Sequence, residues 1–290
     1  MGKDQPYLNY CCWPYEPPQP GEGKLRPSSL LFQAISDMPN SDVPDSGLAR
    51  ADWLAETIRV IQAGVGDFRC VYGIKRIDGR WAIEVYVYDY ARQGRVLSVE
   101  RFFGACGGHL RLEPKVSSHL PYFMFSFDLD ERVAGADGAV DVINVYVGNP
   151  GSDVSSGLSY RVTVDERRFE NAYFFFDARN QYQAICDKMV CSVFGDAAHF
   201  PFDAVMPERL RDCNTVCIAN KRMCDTIYFS GVKLEQLQYF LEWQCYPSEF
   251  VEFVQSHARS LDHLLYDVGI DYRVGRSGLQ ILKSGIYGIF

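Results

Sequence analysis

The chain has 290 residues, 47% of them hydrophobic, enough to build a core for one sizeable domain. Its formal net charge of −8 argues against nucleic acid or an anionic membrane as the main partner. No apolar run approaches ~18 residues and the N-terminus is polar, so a cytoplasmic protein is expected. Its ten scattered cysteines then read as free thiols. Cys213-x3-Cys217 falls on a strand pattern without zinc-site spacing, so no metal site is expected.

Residues 1–47 are rich in Pro and Gly between Pro14 and Pro27 and read as an extended arm, with a short helix near Ser29–Met38. Tyr7, Tyr10, Trp13 and Tyr15 suggest that the arm packs on the body. Residues 48–290 read as a single domain. Its first helix, Ala51–Ala63, is capped by Ser46 or Asp52 and turns Leu54, Ile58 and Ile61 to one face.

A hairpin follows, pairing Phe68–Ile74 with Arg80–Tyr90 across Ile77-Asp78-Gly79. Alternation sends Trp81, Ile83, Val85 and Val87 one way. It sends Arg80, Glu84, Tyr86, Tyr88 and Tyr90 the other. After a short amphipathic segment (Val96, Val99, Phe103), the Gly104–Gly108 loop lacks the Lys-Ser/Thr of a P-loop and reads as a plain loop.

The second hairpin pairs Tyr122–Leu129 with Val140–Val147 through a turn rich in Gly, Ala and Asp. Phe123, Phe125, Phe127 and Leu129 oppose Tyr122, Met124, Ser126 and Asp128. On the partner strand Asn144 and Tyr146 oppose Ile143, Val145 and Val147. The third hairpin pairs Leu158–Val164 with Phe169–Phe176. Ser159, Arg161 and Thr163 share one face of its first strand, and Asn171 and Tyr173 one face of its second.

Helical patterns then cover Gln181–Val193, with an apolar stripe from Tyr182 to Val193, and a shorter piece near Phe202–Leu210 broken by Pro207. The chain closes as hairpin, helix, helix, hairpin. Asn214–Ile218 pairs with Thr226–Phe229. One helix carries Leu234, Leu237 and Leu241, and the next, from Ser248, carries Phe250, Val254 and Leu261. Ile270–Val274 pairs with Leu279–Ile289.

Five such pairs make ten antiparallel strands with helices between most of them. A twisted sheet of that width closes. The expected fold is α/β: a closed ten-stranded antiparallel barrel surrounded by helices. Aliphatic strand faces meet the helices, and the faces of Arg, Asn, Ser, Thr and Tyr line a lumen. Ten strands exceed the roughly eight that side chains can fill, so that lumen has room for a ligand.

The order of elements and several short motifs resemble the ABBA, or PT-barrel, prenyltransferases, and most closely the cyanobactin peptide prenyltransferase family. The resembling segments are Asn220-Lys221-Arg222-Met223-Cys224-Asp225-Thr226-Ile227-Tyr228-Phe229, the helix ending at Tyr239-Phe240, Arg161–Asp165 with Asn171–Tyr173, and the aromatic last strand Leu279–Phe290. They cover most of residues 65–290 and exclude the arm. The resemblance implies transfer of a dimethylallyl or geranyl group from a prenyl diphosphate to a side chain of a ribosomally made, cyclic peptide, in cyanobactin (RiPP) biosynthesis.

That chemistry needs cations for the leaving diphosphate, π-faces for the allyl cation and a carboxylate for the acceptor's proton. Candidates for the diphosphate are Arg80, Arg161, Lys221 and Lys283, with Arg69 and Lys75 as further options. Candidates for prenyl shielding are Tyr86, Tyr88, Tyr146, Tyr173 and Tyr287. Candidates for proton transfer are Glu84 and Asp67. Where the family carries an Arg on its first hairpin, this chain carries Glu84, with Arg80 on the same face. There is no DDxxD motif; Asp128-x-Asp130-Glu131 reads as a hydrated hairpin turn, and Mg2+ dependence stays open.

The expected partners are the peptide and the prenyl diphosphate, with no nucleic acid and no membrane, the protein being a monomer. The competing readings are a non-catalytic barrel binding a lipid or an aromatic metabolite, and prenylation of a small aromatic compound on the same scaffold. No Ser-His-Asp, HExxH or dinucleotide signature points elsewhere.

Overall fold

The structure is a computed structural model, described over residues 21–38, 50–66, 70–89, 97–117, 119–148, 156–195, 198–275 and 278–289. Ser46, Asp67, Arg69, Tyr90, Val96 and the arm's aromatics lie outside the described residues.

The strands, in chain order, are β1 (Cys70–Ile77), β2 (Arg80–Tyr88), β3 (Arg111–Leu112), β4 (Tyr122–Leu129), β5 (Ala139–Val140), β6 (Ile143–Gly148), β7 (Ser156–Val162), β8 (Arg167–Asp177), β9 (Thr215–Lys221), β10 (Asp225–Val232), β11 (Tyr266–Gly275) and β12 (Gly278–Ile289). Ten of them close into a barrel in the order β1-β12-β11-β10-β9-β8-β7-β6-β4-β2, and every pairing around it is antiparallel. The expected barrel is therefore present. The tight turn between β1 and β2 uses Asp78 and Gly79, both with positive φ, as an Asp-Gly hairpin requires.

The helices are α1 (Ser29–Ser36), α2 (Arg50–Val65), α3 (Val99–Ala105), α4 (Glu131–Gly135), α5 (Tyr182–Val190), α6 (Phe202–Val205), α7 (Leu234–Trp243), α8 (Ser248–Ser256) and α9 (Ala258–Leu261). Their apolar faces join the outward strand faces in one core. Ile83, Val85, Val145 and Val162 pack there with Leu54 and Ile58 of α2, Phe102 of α3 and Leu237 and Phe250 of α7 and α8. Each such side chain, fully buried, contributes about 1.5–3 kcal/mol, so the outside of the barrel carries most of the stability. Helix α1 belongs to this layer. Leu30, Leu31, Ala34 and Ile35 of α1 are buried in the same core, and Tyr72 donates to the Pro27 carbonyl at 2.7 Å. No described helix is long and apolar enough to cross a membrane.

Three local expectations change. The link between β4 and β6 is not a hairpin turn, because Asp130 caps a helix there. Its carboxylate accepts from the backbone of Arg132 at 3.0 Å and Val133 at 3.1 Å, starting α4. Val140 then pairs through β5 in parallel with β3 instead of extending β6. Next, a β-bulge between Tyr122 and Met124 flips the start of β4. Tyr122 joins the outer core, where its hydroxyl accepts from the Val99 amide at 3.2 Å, and Phe123 packs against the inner cluster. Finally, α5 stops at Val190, and Val193 is 92% exposed.

Candidate active site in the barrel lumen

Inward faces of the strands enclose a cavity of about 250 Å³. Its chemistry is layered by position along the strands. Charged side chains sit near the ends that carry the short hairpin turns, as with Lys221 at the last residue of β9 and Arg161 one residue from the end of β7. Tyrosines sit deeper. Tyr86, Tyr146, Tyr173 and Tyr228 line the cavity, and Tyr287 completes the ring behind them.

The tyrosines touch in sequence. Ring centroids are 5.7 Å apart for Tyr228–Tyr287, 5.9 Å for Tyr287–Tyr86, 6.5 Å for Tyr86–Tyr146 and 5.9 Å for Tyr146–Tyr173. Tyr173 and Tyr228 both pack on Phe175 and Cys217, which closes the collar. Two inward glycines make this packing fit. A Cβ on Gly269 would lie 2.5 Å from Tyr228 Cδ1, and one on Gly73 would lie 2.9 Å from Tyr287 Cε1. Burial pushes the Tyr173 phenol up to about 12 and Tyr228 well above its ordinary value, so both rings stay neutral at working pH.

The charges divide by wall. On β1, β2 and β4, Lys75 pairs with both Glu84 and Asp128. Burial works against the Lys75 ammonium, but the two carboxylates outweigh it and hold its pKa well above the usual lysine value. Glu84 also accepts from Ser126 Oγ at 2.5 Å and from Tyr86 OH at 2.6 Å. Arg132 and Asp141, from the segment linking β4 to β6, also line the cavity here, so this wall carries three carboxylates against two cations.

The remaining lining strands β7, β8, β9, β11 and β12 have the opposite balance. Lys221 contacts Asp271 at 2.9 and 3.0 Å, Lys283 contacts it at 3.0 Å, and Thr226 donates to it at 2.6 Å. Burial would raise the Asp271 carboxyl, but the two lysines hold it far below the usual range. One carboxylate is shared between two ammoniums, and burial with the Lys221 charge lowers Lys283 to about 8. Arg161 also lines the cavity and has no carboxylate within ion-pair distance among the described residues. Three cations thus face two carboxylates on these strands, Asp271 and Glu170, which lines the cavity from β8.

The sequence-derived candidates sort as follows. Glu84, Arg161, Lys221, Lys283, Tyr86, Tyr146 and Tyr173 line the cavity, as does Lys75. Tyr287 stands in the collar, and Tyr88 packs on the same inner cluster. Arg80 shares their strand parity but is the exposed first residue of β2 and is not among the lining residues. It lies four positions from Glu84, roughly 13 Å along the strand. Asp67 lies outside the described residues. Tyr228 and Asp271 were missed, although alternation with Ile227 and Phe229, and with Ile270 and Tyr272, assigns both inward. Asp128 and Asp130 are not a hydrated turn: one faces the cavity and the other caps α4. Among the described residues no group of three or more His, Cys, Asp or Glu is placed to hold a metal ion. The Gly104–Gly108 segment ends α3 and turns away from it, with the Cys106 and Gly107 amides bonded back to that helix.

Compared with protein families and with curated proteins, the chain matches none.

Proposed function

We propose that the lumen is the active site of a PT-barrel prenyltransferase, which moves a dimethylallyl or geranyl group from its diphosphate to a peptide side chain. Lys221, Lys283 and Arg161 hold the diphosphate. When the C1–O bond breaks, its electron pair leaves with the diphosphate and positive charge spreads over the allyl group. The tyrosine collar turns neutral π-faces toward that charge and keeps water away from it. A cavity of about 250 Å³ lies just below the ~300–1,000 Å³ usual for small-molecule sites. That size suits the five-carbon donor better than the ten-carbon one.

The observation that carries this reading is the meeting of three cations, Arg161, Lys221 and Lys283, with a continuous tyrosine collar in one lumen. The test is mass spectrometry of a mixed peptide pool incubated with dimethylallyl and geranyl diphosphates, beside binding of dimethylallyl thiodiphosphate. The expected result is a gain of one C5 unit on a peptide. No gain with either donor, and no binding of the thiodiphosphate, would refute it.

A second reading, a barrel that binds an aromatic or lipid ligand without reaction, is favoured by one feature. Lys75, Lys221 and Lys283 each already have a carboxylate partner. It predicts tight ligand binding with no transfer to any acceptor.

A further inference from the structure

Strand alternation marks Glu84 for the acceptor's proton, but its surroundings leave it no room to act. Ser126 takes one oxygen, and Tyr86 and Lys75 take the other. Its side chain is 7% accessible. Burial raises the carboxyl, yet Lys75 and the three hydrogen bonds outweigh this and hold its pKa below the ordinary value. A carboxylate stabilised in this way is a weak base without an open face.

Asp128 stands beside it, directly across the β2–β4 ladder. Lys75 occupies its Oδ1 at 2.9 Å. Its Oδ2 has no hydrogen-bond partner among the described residues, and 47% of the side chain is accessible in the cavity. We propose that Asp128 is the acceptor-side catalytic residue, and that the acceptor is a cationic nitrogen side chain, a guanidinium or an ammonium. The proposal rests on the prenyl-transfer reading.

Three features support it. First, the wall bearing Asp128 has more carboxylates than cations, so it attracts a cation and offers a neutral aromatic acceptor nothing comparable. Second, enclosure by protein raises the Asp128 carboxyl, Lys75 only partly offsets this, and Glu84 raises it further. Asp128 is thus the better proton acceptor of the pair. Third, Lys221 on β9 lies across the lumen, four strands round the barrel from β4, so an allyl group held by a diphosphate at Lys221 has its leaving group and Asp128 on different sides.

The step balances. An ammonium first gives up one N–H proton, which frees its lone pair, whereas a guanidinium loses its proton as the bond forms; the nitrogen pair then bonds to C1, the C1–O bond breaks, and its electrons leave with the diphosphate. One N–H proton passes to Asp128 Oδ2 and then to water. The product is a substituted guanidinium or ammonium that keeps its positive charge.

The test has a binding arm and a transfer arm. Blocked arginine, lysine and tyrosine amides are titrated calorimetrically into the full chain, with and without dimethylallyl thiodiphosphate. Peptides bearing each residue are then assayed for transfer. Asp128→Asn should bind the thiodiphosphate as the parent does, lose the cationic amides, and lose about 10²–10⁴-fold in transfer rate. The acidic limb of the parent's pH–rate profile should disappear with it. Glu84→Gln, shown to be folded by circular dichroism, should keep the Asp128-dependent limb. Transfer confined to tyrosine, or a full rate to arginine peptide in Asp128→Asn, overturns the proposal. If the parent binds no donor and transfers nothing, the prenyl-transfer reading fails. Asp128-dependent binding of the cationic amides, measured without donor, then still decides whether this wall takes a cation.

Discussion

Replacing Lys283 with methionine tests whether the lumen carries charge at the expense of stability. In the folded protein burial, then the neighbouring Lys221 ammonium, depresses Lys283 to about 8, and Asp271 only partly offsets this. In the unfolded chain the lysine titrates at about 10.5. At about 1.4 kcal/mol per pH unit, that gap makes the protonated side chain unfavourable by roughly 3 kcal/mol at neutral pH. The penalty is complete below pH 8. It fades as pH climbs toward 10.5, because in that window the unfolded chain holds a proton that the folded chain lacks, and stability rises with pH. Methionine fills a similar volume without charge. Lys283→Met should therefore stabilise the protein by up to about 3 kcal/mol at neutral pH, reduced by what Asp271 loses with one partner gone. Urea denaturation, at neutral pH and again near pH 9.5, reads this directly. The variant should be the more stable protein at neutral pH, and its advantage should shrink at high pH. Its affinity for inorganic pyrophosphate should fall meanwhile. A variant less stable than its parent at neutral pH, or an advantage indifferent to pH, would refute the reasoning.

Asp271→Ala removes the buried carboxylate shared by two half-buried lysines and should cost about 3–5 kcal/mol in chemical denaturation. Added pyrophosphate should restore more stability to it than to the parent, and equal stabilisation would count against an anion site there. Gly269→Ala places a methyl 2.5 Å from Tyr228 Cδ1, so the ring must swing away or the strand must shift. A loss of about 1–3 kcal/mol in stability, with weaker prenyl-analogue binding, is expected by urea titration and calorimetry. Asp130→Ala removes the cap of α4 and should cost about 1 kcal/mol in the same denaturation assay, without changing donor binding.

The barrel was legible in the sequence because most of each strand alternates and its outward face is apolar. Ile83 and Val85, or Val145 and Val147 around Tyr146, determine which side is in without any tertiary information. What alternation could not supply was depth. Arg80 and Glu84 share a face, yet only Glu84 reaches the cavity, because the strand ends at Arg80. Nor did it reveal the bulge at Tyr122, since a bulge changes parity without a compositional mark. The pairing of charges was also hidden. Asp271 lies 50 residues from Lys221 in sequence, and their contact exists only because β9 and β11 both flank β10. Asp128 was read as solvated because it precedes Asp130 and Glu131, a run typical of a turn. The ladder to Glu84 instead sets it inside.

The two walls explain why a barrel would place costly charges in its interior. A buried ion pair seldom adds net stability. Here the stability comes from the outer layer, where helices cover the aliphatic strand faces. The lumen is released from that duty, and its charges need only remain tolerable. They do so by being nearly paired: Asp271 holds two lysines, and Lys75 holds two carboxylates. Each arrangement leaves one charge uncompensated, of opposite sign on the two sides. Exact pairing would leave the lumen electrostatically inert. The residual imbalance lets an anion complete one wall and a cation the other, with neutral tyrosine rings between them. On this view each wall's own imbalance is met only when its ligand is bound, and two ligands of opposite charge in one lumen should each tighten the other. Pyrophosphate should therefore increase the affinity for a blocked arginine amide, and Lys283→Met should weaken that coupling while leaving the Asp128 contact in place. Independent binding of the two ligands in the parent would show that the walls act separately.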